Sequence, residues 1–246
     1  EAPPPHRFNK FITTGYRIGM SDLDCIVTLF TTYHNETWNV FTHLVPAMVH
    51  IGFLVGTEWD KQDPLVVVAA FFSLCVSVCL LLSARYHLFM ASTPDPAEYR
   101  MLLKADVIGV TTCFLGATTA MLWLPAAHVD PMLKAGFLFT VYIVSTSLVV
   151  LAPDERGRGV GFLVMVVGML VAVTYRLQSP FAAHPTMFGW VFGVLMLVAG
   201  GAINVARIPE RWAPPGVFDN FLNSHNIMHM LTAAASFITF YNALVD

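Results

Sequence analysis

Two histidines four residues apart, His225 and His229, open the last apolar stretch of the chain in the run Ser224-His225-Asn226-Ile227-Met228-His229. On a helix that spacing puts both imidazoles on one face, within reach of a single metal ion. Ser83 and His87 have the same spacing near the end of another apolar stretch, and Asp106 stands near the start of the next. Neutral imidazole is a good zinc ligand, and three protein ligands leave a fourth position for water. His87, His225 and His229 are therefore a candidate zinc tripod. Asp106 is a candidate general base, or an orienter of a ligand histidine. Ser83 is a candidate donor to a substrate carbonyl, or a holder of the water.

These residues meet only if the elements that carry them bring them to one level. Of 246 residues, 56% are hydrophobic and 12% charged, against about 25% charged in an ordinary soluble domain. With a mean hydropathy of +0.65, the composition is that of an integral membrane protein. A net charge of -3 argues against nucleic acid as a partner. Cys25, Cys75, Cys79 and Cys113 form no CxxC pair, and the last three lie in apolar stretches. They read as reduced packing residues rather than a disulfide framework or a thiolate zinc site. The opening Glu-Ala-Pro-Pro-Pro is unlike a signal peptide and is expected to come after a disordered leader.

A membrane-spanning helix needs about 20 mostly apolar residues. Seven stretches qualify, near 39–58, 64–89, 102–123, 133–152, 159–177, 187–206 and 227–244. Charged or proline-rich turns at Asp60–Pro64, Ser92–Pro96 and Pro153–Gly157 separate some of them, and Arg207–Gly216 cannot be one continuous helix. The expected fold is an all-α integral membrane protein with seven transmembrane helices. A segment 1–21 and a short interfacial helix 22–34, with Cys25, Ile26, Leu29 and Phe30 on its apolar side, precede a transmembrane domain 39–244. Ten of the 13 Lys and Arg residues fall on the side shared with the N-terminus. That predicts a cytoplasmic N-terminus. In this topology even spans end, and odd spans begin, at the cytoplasmic side. The end of span two, the start of span three and the start of span seven then lie at similar depth, with Ser83, His87, Asp106, His225 and His229 among them.

Other polar residues read more plainly. His43 is expected to be an interfacial hydrogen-bonder and His50 a packed residue. His128 and His184 lie in loops on the far side with no predicted role. Asn35, Glu36 and Asn39 are expected to form a polar junction that fixes the interfacial helix against span one. Gly200-Gly201 suggests close helix packing.

Taken in order, several runs resemble the progestin and adipoQ receptor family, which includes the adiponectin receptors and fungal homologues. They are Gly15-Tyr16-Arg17, His34-Asn35-Glu36-Thr37 with Asn39 and Thr42-His43, Ser83-Ala84-Arg85-Tyr86-His87, Asp106 with Gly109, Ile208-Pro209-Glu210-Arg211, and Ser224-His225 with His229. The chain looks most like the compact microbial or fungal branch, where roles in lipid and zinc homeostasis are described. The resemblance implies seven helices with an intracellular N-terminus, and zinc held by His87, His225 and His229 with Asp106 beside the metal's water. It also implies kinship with alkaline ceramidases, whose shared Ser, Asp and three His have counterparts here.

Two functions emerge as expectations. One is a zinc-dependent lipid amide hydrolase in the plasma membrane or an endomembrane, acting on ceramide or another sphingolipid and releasing fatty acid. The alternative is a seven-transmembrane receptor with a structural zinc and no physiological hydrolysis. A retinal protein is disfavoured because span seven has no Lys, and a transporter because no inverted repeat is visible.

Overall fold

The computed structural model describes residues 9–56, 63–93, 95–126, 128–152 and 155–246. The predicted end of span one at Glu58, the turn residues Asp60-Lys61-Gln62, Pro94, Pro153-Asp154 and the opening Glu1–Phe8 lie outside the described residues. Every regular element among the described residues is helical: α1 (Asp22–Thr31), α2 (Thr37–Gly56), α3 (Pro64–Phe89), α4 (Pro96–Leu122), α5 (Pro131–Leu151), α6 (Glu155–Leu177), α7 (Met187–Ala206) and α8 (Ser224–Val245), with short 3-10 turns at Met90–Ser92 and Pro180–Ala183. Seven of them, α2 to α8, are long and apolar enough to cross a membrane. Their outward side chains agree: Val55, Met132, Leu151 and Val205 are each more than three-quarters exposed. A solvent of lipid tolerates that arrangement and water does not.

The helix ends obey local chemistry. Ser21 caps α1 in a reciprocal box with Asp24. The helix stops at Thr31, three residues before the expected His34, because Thr32 is extended and the amide of His34 bonds the hydroxyl of Thr37 instead. Cys25 and Leu29 are buried, whereas Leu23, Ile26, Val27 and Phe30 face outward. α4 begins at Pro96, six residues before the apolar stretch, with the Asp95 carboxylate accepting from the amide of Ala97. α7 ends at Ala206, where Arg207 takes a left-handed φ of 57°.

The chain forms two compact units. The first comprises 1–46, 80–106 and 195–234. In it, Tyr86, Met90, Tyr99 and Leu102 form a core cluster, with the Tyr86 and Tyr99 hydroxyls 2.8 Å apart. The Arg17 guanidinium donates to the carbonyls of Cys25, His87 and Leu88, which ties α1 to the end of α3. A Cβ on Gly200 would stand 3.4 Å from Cα of Met228, so α7 and α8 pack closely there. Gly201 meets nothing within 4 Å and plays no such part. The second unit comprises 47–79, 107–194 and 235–246. His50 is fully buried in it, bonded to the hydroxyls of Ser73 and Ser236 and stacked on Phe237. Cys75 and Cys79 are buried and form no disulfide.

In the first unit the segment before α1 is fastened to the loop before α8. The Asp219 carboxylate accepts from the amides of Thr13 (3.1 Å) and Thr14 (2.7 Å) and from both hydroxyls. Burial pushes this carboxyl up, but the bonds from Thr14 and Thr13 outweigh it and hold the group below its ordinary value of 3.8. A depressed carboxylate stabilises the fold above its unfolded value and loses that contribution as pH falls through its folded value. We therefore expect the clasp to open in acid, below about pH 3.8. Hydrogen-exchange protection at the Thr13 and Thr14 amides should collapse there, and Asp219→Asn should lack it already at pH 7. Protection in Asp219→Asn equal to that of the parent protein at pH 7 would refute this.

Candidate metal centre

α8 delivers two of the three histidines. Asn223 caps the helix, its side-chain oxygen accepting from the amides of His225 (3.1 Å) and Asn226 (3.0 Å). Glu210 accepts from the amide of Ser224 at 2.7 Å, from its hydroxyl, and from the side chain of Asn9. A carboxylate at the positive end of a helix is favourable. The first turn of α8 is thus fixed, with His225 half-buried and His229 buried. The last turn of α3 delivers His87, which is 1% exposed.

One ring nitrogen from each of His87, His225 and His229 lies within 4.8 Å of the others. The partners of the opposite ring edges decide what converges. His87 Nδ1 is 2.7 Å from the Glu36 carboxylate, which accepts only, so Nδ1 carries the proton and Nε2 the lone pair. His225 Nδ1 faces the side-chain oxygen of Asn204 at 3.4 Å, which favours the same tautomer. Thr42 gives its hydroxyl proton to the carbonyl of Trp38 and leaves its oxygen for His229 Nδ1 at 3.2 Å. Nε2 of His87 and Nε2 of His225 then meet at 3.4 Å, lone pair against lone pair. That approach is repulsive unless a cation or a shared proton sits between them. Two imidazoles on one tetrahedral zinc, each about 2.05 Å from it, place their nitrogens about 3.3 Å apart. The donor set, and the spacing of this one pair, fit a zinc ion.

A hydrogen-bonded chain stands behind the ligands. Asn226 donates to Asn39 at 2.6 Å, Asn39 donates to Glu36 at 2.7 Å, and the same Glu36 oxygen receives His87. Burial pushes the Glu36 carboxyl up, but His87, by hydrogen bond and charge, and Asn39 hold it down to about 2. It is therefore a carboxylate at neutral pH, the usual orienting partner of a metal-bound histidine. Glu36 and Asn39 do more than fix a junction: they reach the candidate metal ligand itself. Asn35 does not join them; its amide bonds the carbonyl of Gly15 and its side-chain oxygen is buried without a partner among the described residues.

Ser83 is buried and bonds the Asp106 carboxylate, which is close enough for its charge to act on His87. Asp106 stands outside the convergent set of three. A water-sized pocket touches both Glu36 and His225 and is lined further by Asn35, Asn39, Asp219 and Asn223.

The spacing of the histidines does not point to three residues that the structure places beside them. Thr42 lies three residues after Asn39, on a polar face of α2 that helical spacing displays. Asn204 has no such sequence signal, since only the fold brings it to His225. His43, which the sequence places at an interface with hydrogen bonds, is instead buried and stacked on His229 with centroids 3.7 Å apart. Neither of its ring nitrogens has a hydrogen-bond partner among the described residues. The turn of helix that puts Thr42 against His229 carries His43 in with it.

A family model described as "Haemolysin-III related" matches residues 31–240. A human protein, progestin and adipoQ receptor family member 4, is 32% identical over 94% of this chain and 86% of its own length. The adiponectin receptor protein of Drosophila melanogaster is 26% identical over 95% of this chain and 55% of its own. An ADIPOR-like receptor of Saccharomyces cerevisiae, IZH2, is 24% identical over 96% of this chain and 79% of its own.

Proposed function

The chain belongs to the haemolysin-III-related family, with the progestin and adipoQ receptors, and from that premise we propose that it is a zinc-containing membrane enzyme that hydrolyses a lipid amide of the ceramide class. The membrane-spanning, adiponectin-receptor-like character is given by its seven helices and its relatives. The hydrolytic reading rests on one observation: three imidazoles converge, and an aspartate outside the set is close enough for its charge to act on one of them, His87.

His87, His225 and His229 would hold the ion, oriented by Glu36, Asn204 and Thr42. When bound, zinc supplies polarisation of a carbonyl and lowers the pKa of adjacent water toward about 7. Asp106 accepts the proton from the attacking water and hands it to the nitrogen of the leaving amine. The C–O bond forms, the C–N bond breaks, and the products are a fatty acid and an amine. Ser83 keeps the Asp106 carboxylate aimed by its hydrogen bond. The test is release of labelled fatty acid from a short-chain ceramide by the detergent-purified protein, compared with a zinc-stripped sample.

A second reading, a receptor whose zinc is structural, draws on the size of the pockets. One beside the histidines and one between α4, α5 and α6 are water-sized. An acyl chain needs far more room than either offers. Zinc-loaded protein without turnover decides for the receptor.

We further propose a cytoplasmic N-terminus, in the plasma membrane or an endomembrane, on the ten-to-three cation asymmetry. Seven spans put the termini on opposite sides. In intact cells with the protein at the surface, an N-terminal tag should be protected and a C-terminal tag accessible. The reverse pattern overturns the orientation.

A further inference from the structure

His43 poses a problem that the metal centre does not solve. A neutral imidazole carries one N–H donor and one acceptor nitrogen. Both ring nitrogens of His43 are sealed from solvent, and neither has a hydrogen-bond partner among the described residues. Buried polar atoms in native proteins are nearly always paired, so each exception calls for a reason. The other buried histidines contrast with it. His50 is bonded at both nitrogens, and His34, His87, His225 and His229 each have a partner at Nδ1, although Nε2 of His34 has none among the described residues.

Three explanations compete. Packing alone would be served better by Phe, which fills the same flat space with no polar atom to bury. Metal ligation does not fit, because His43 is outside the group whose nitrogens converge within 4.8 Å. The third explanation is a guest. The His43 ring lies almost parallel to that of His229, 24° between planes, so it is pressed against one wall of the metal centre. The ring is closed to bulk water but lies against His229 of the centre, where a bound molecule would supply the missing partners. A lipid amide with neighbouring hydroxyls offers both kinds: a carbonyl or hydroxyl oxygen for the N–H, and an N–H or O–H for the bare nitrogen.

We propose that His43 is a substrate-recognition residue, hydrogen-bonding the polar head of a lipid amide beside the metal. The inference rests on the lipid-amide reading of the centre. It predicts that His43 acts on lipid affinity and not on metal content.

The experiment measures zinc per chain and the equilibrium binding of a fluorescent short-chain ceramide to detergent-purified protein carrying Asp106→Asn, so that the lipid is not consumed. Two variants are compared in that background. His43→Phe keeps the stacked ring and removes both nitrogens. His43→Gln gives up the ring but keeps one donor and one acceptor. We expect full zinc in both. Ceramide binding should weaken about tenfold or more in His43→Phe, the scale of an unpaired polar head group, with much of the loss recovered in His43→Gln. Ceramide binding in His43→Phe equal to that of the parent protein overturns the proposal and makes the ring a packing element. Loss of zinc in His43→Phe overturns it too, by assigning His43 to the metal. If the parent protein holds zinc yet binds no ceramide, the lipid-amide reading itself fails and the proposal with it, an outcome distinct from the other two.

Discussion

We expect His225→Ala/His229→Ala protein to emerge from purification without zinc, while His128→Ala should keep the full complement of about one ion per chain. The expectation comes from the donor set. Structural zinc in small domains is held by about 10–16 kcal/mol across its ligands, so each imidazole contributes on the order of 3 kcal/mol. Losing two of three removes roughly four orders of magnitude in affinity or more. The helix that carries them has independent support, since Asn223 and Glu210 fix its first turn from outside the pair. Helical content by circular dichroism should therefore survive the double change. His128 serves as control because its contact is with Tyr175, in the second unit. Glu36→Gln should fall between. It keeps the shape but gives up the carboxylate that fixes the His87 tautomer, a change that typically costs 10–100-fold in metal affinity. Metal content by mass spectrometry reads all of these. Full zinc in the double variant means that the ion, if any, is held elsewhere.

How much of this is legible in the sequence depends on how far the relevant signal travels along the chain. Apolar runs of about 20 residues bounded by Pro, Gly and charge give spans directly, and the seven helices begin and end close to the expected limits. The exception, α4, starts at Pro96 because a capped, charged first turn is helical without being apolar. Hydropathy registers the membrane and not the helix. The i, i+4 spacing of His225 and His229 is likewise local, and adding His87 needs only a topology that brings helix ends to one level. The residues behind the ligands are another matter. Glu36 reaches His87 from 51 positions away and Asn204 reaches His225 from 21. A polar side chain at a helix start is equally good as a cap, a junction or an orienting carboxylate until its partner is known. The same limit explains His43, whose neighbourhood is decided by how α2 and α8 pack rather than by its own sequence context.

Asp106→Asn should lower ceramide hydrolysis by roughly 10²–10⁴-fold, the usual worth of a positioned general base, while leaving zinc nearly at its full level. The two halves come from separate observations. Asp106 is not among the three side chains whose nitrogens converge, so removing its charge removes no ligand. It does sit by Ser83 and near His87, where a proton acceptor is needed for an attacking water. Asn is nearly isosteric and its side-chain oxygen can still accept from Ser83, so the local packing is preserved. What it cannot do is take a proton and return it to the departing nitrogen, and amide cleavage stalls without that transfer. Zinc removal should abolish turnover by a different route, through loss of carbonyl polarisation. The two defects separate on reconstitution: added zinc restores the stripped wild-type protein and does nothing for Asp106→Asn. Equal turnover in wild type, Asp106→Asn and zinc-stripped samples identifies a contaminating hydrolase and puts the receptor reading in front. Turnover in Asp106→Asn equal to wild type but lost on zinc removal keeps the enzyme and dismisses Asp106 as its base, leaving the proton to another group of the centre.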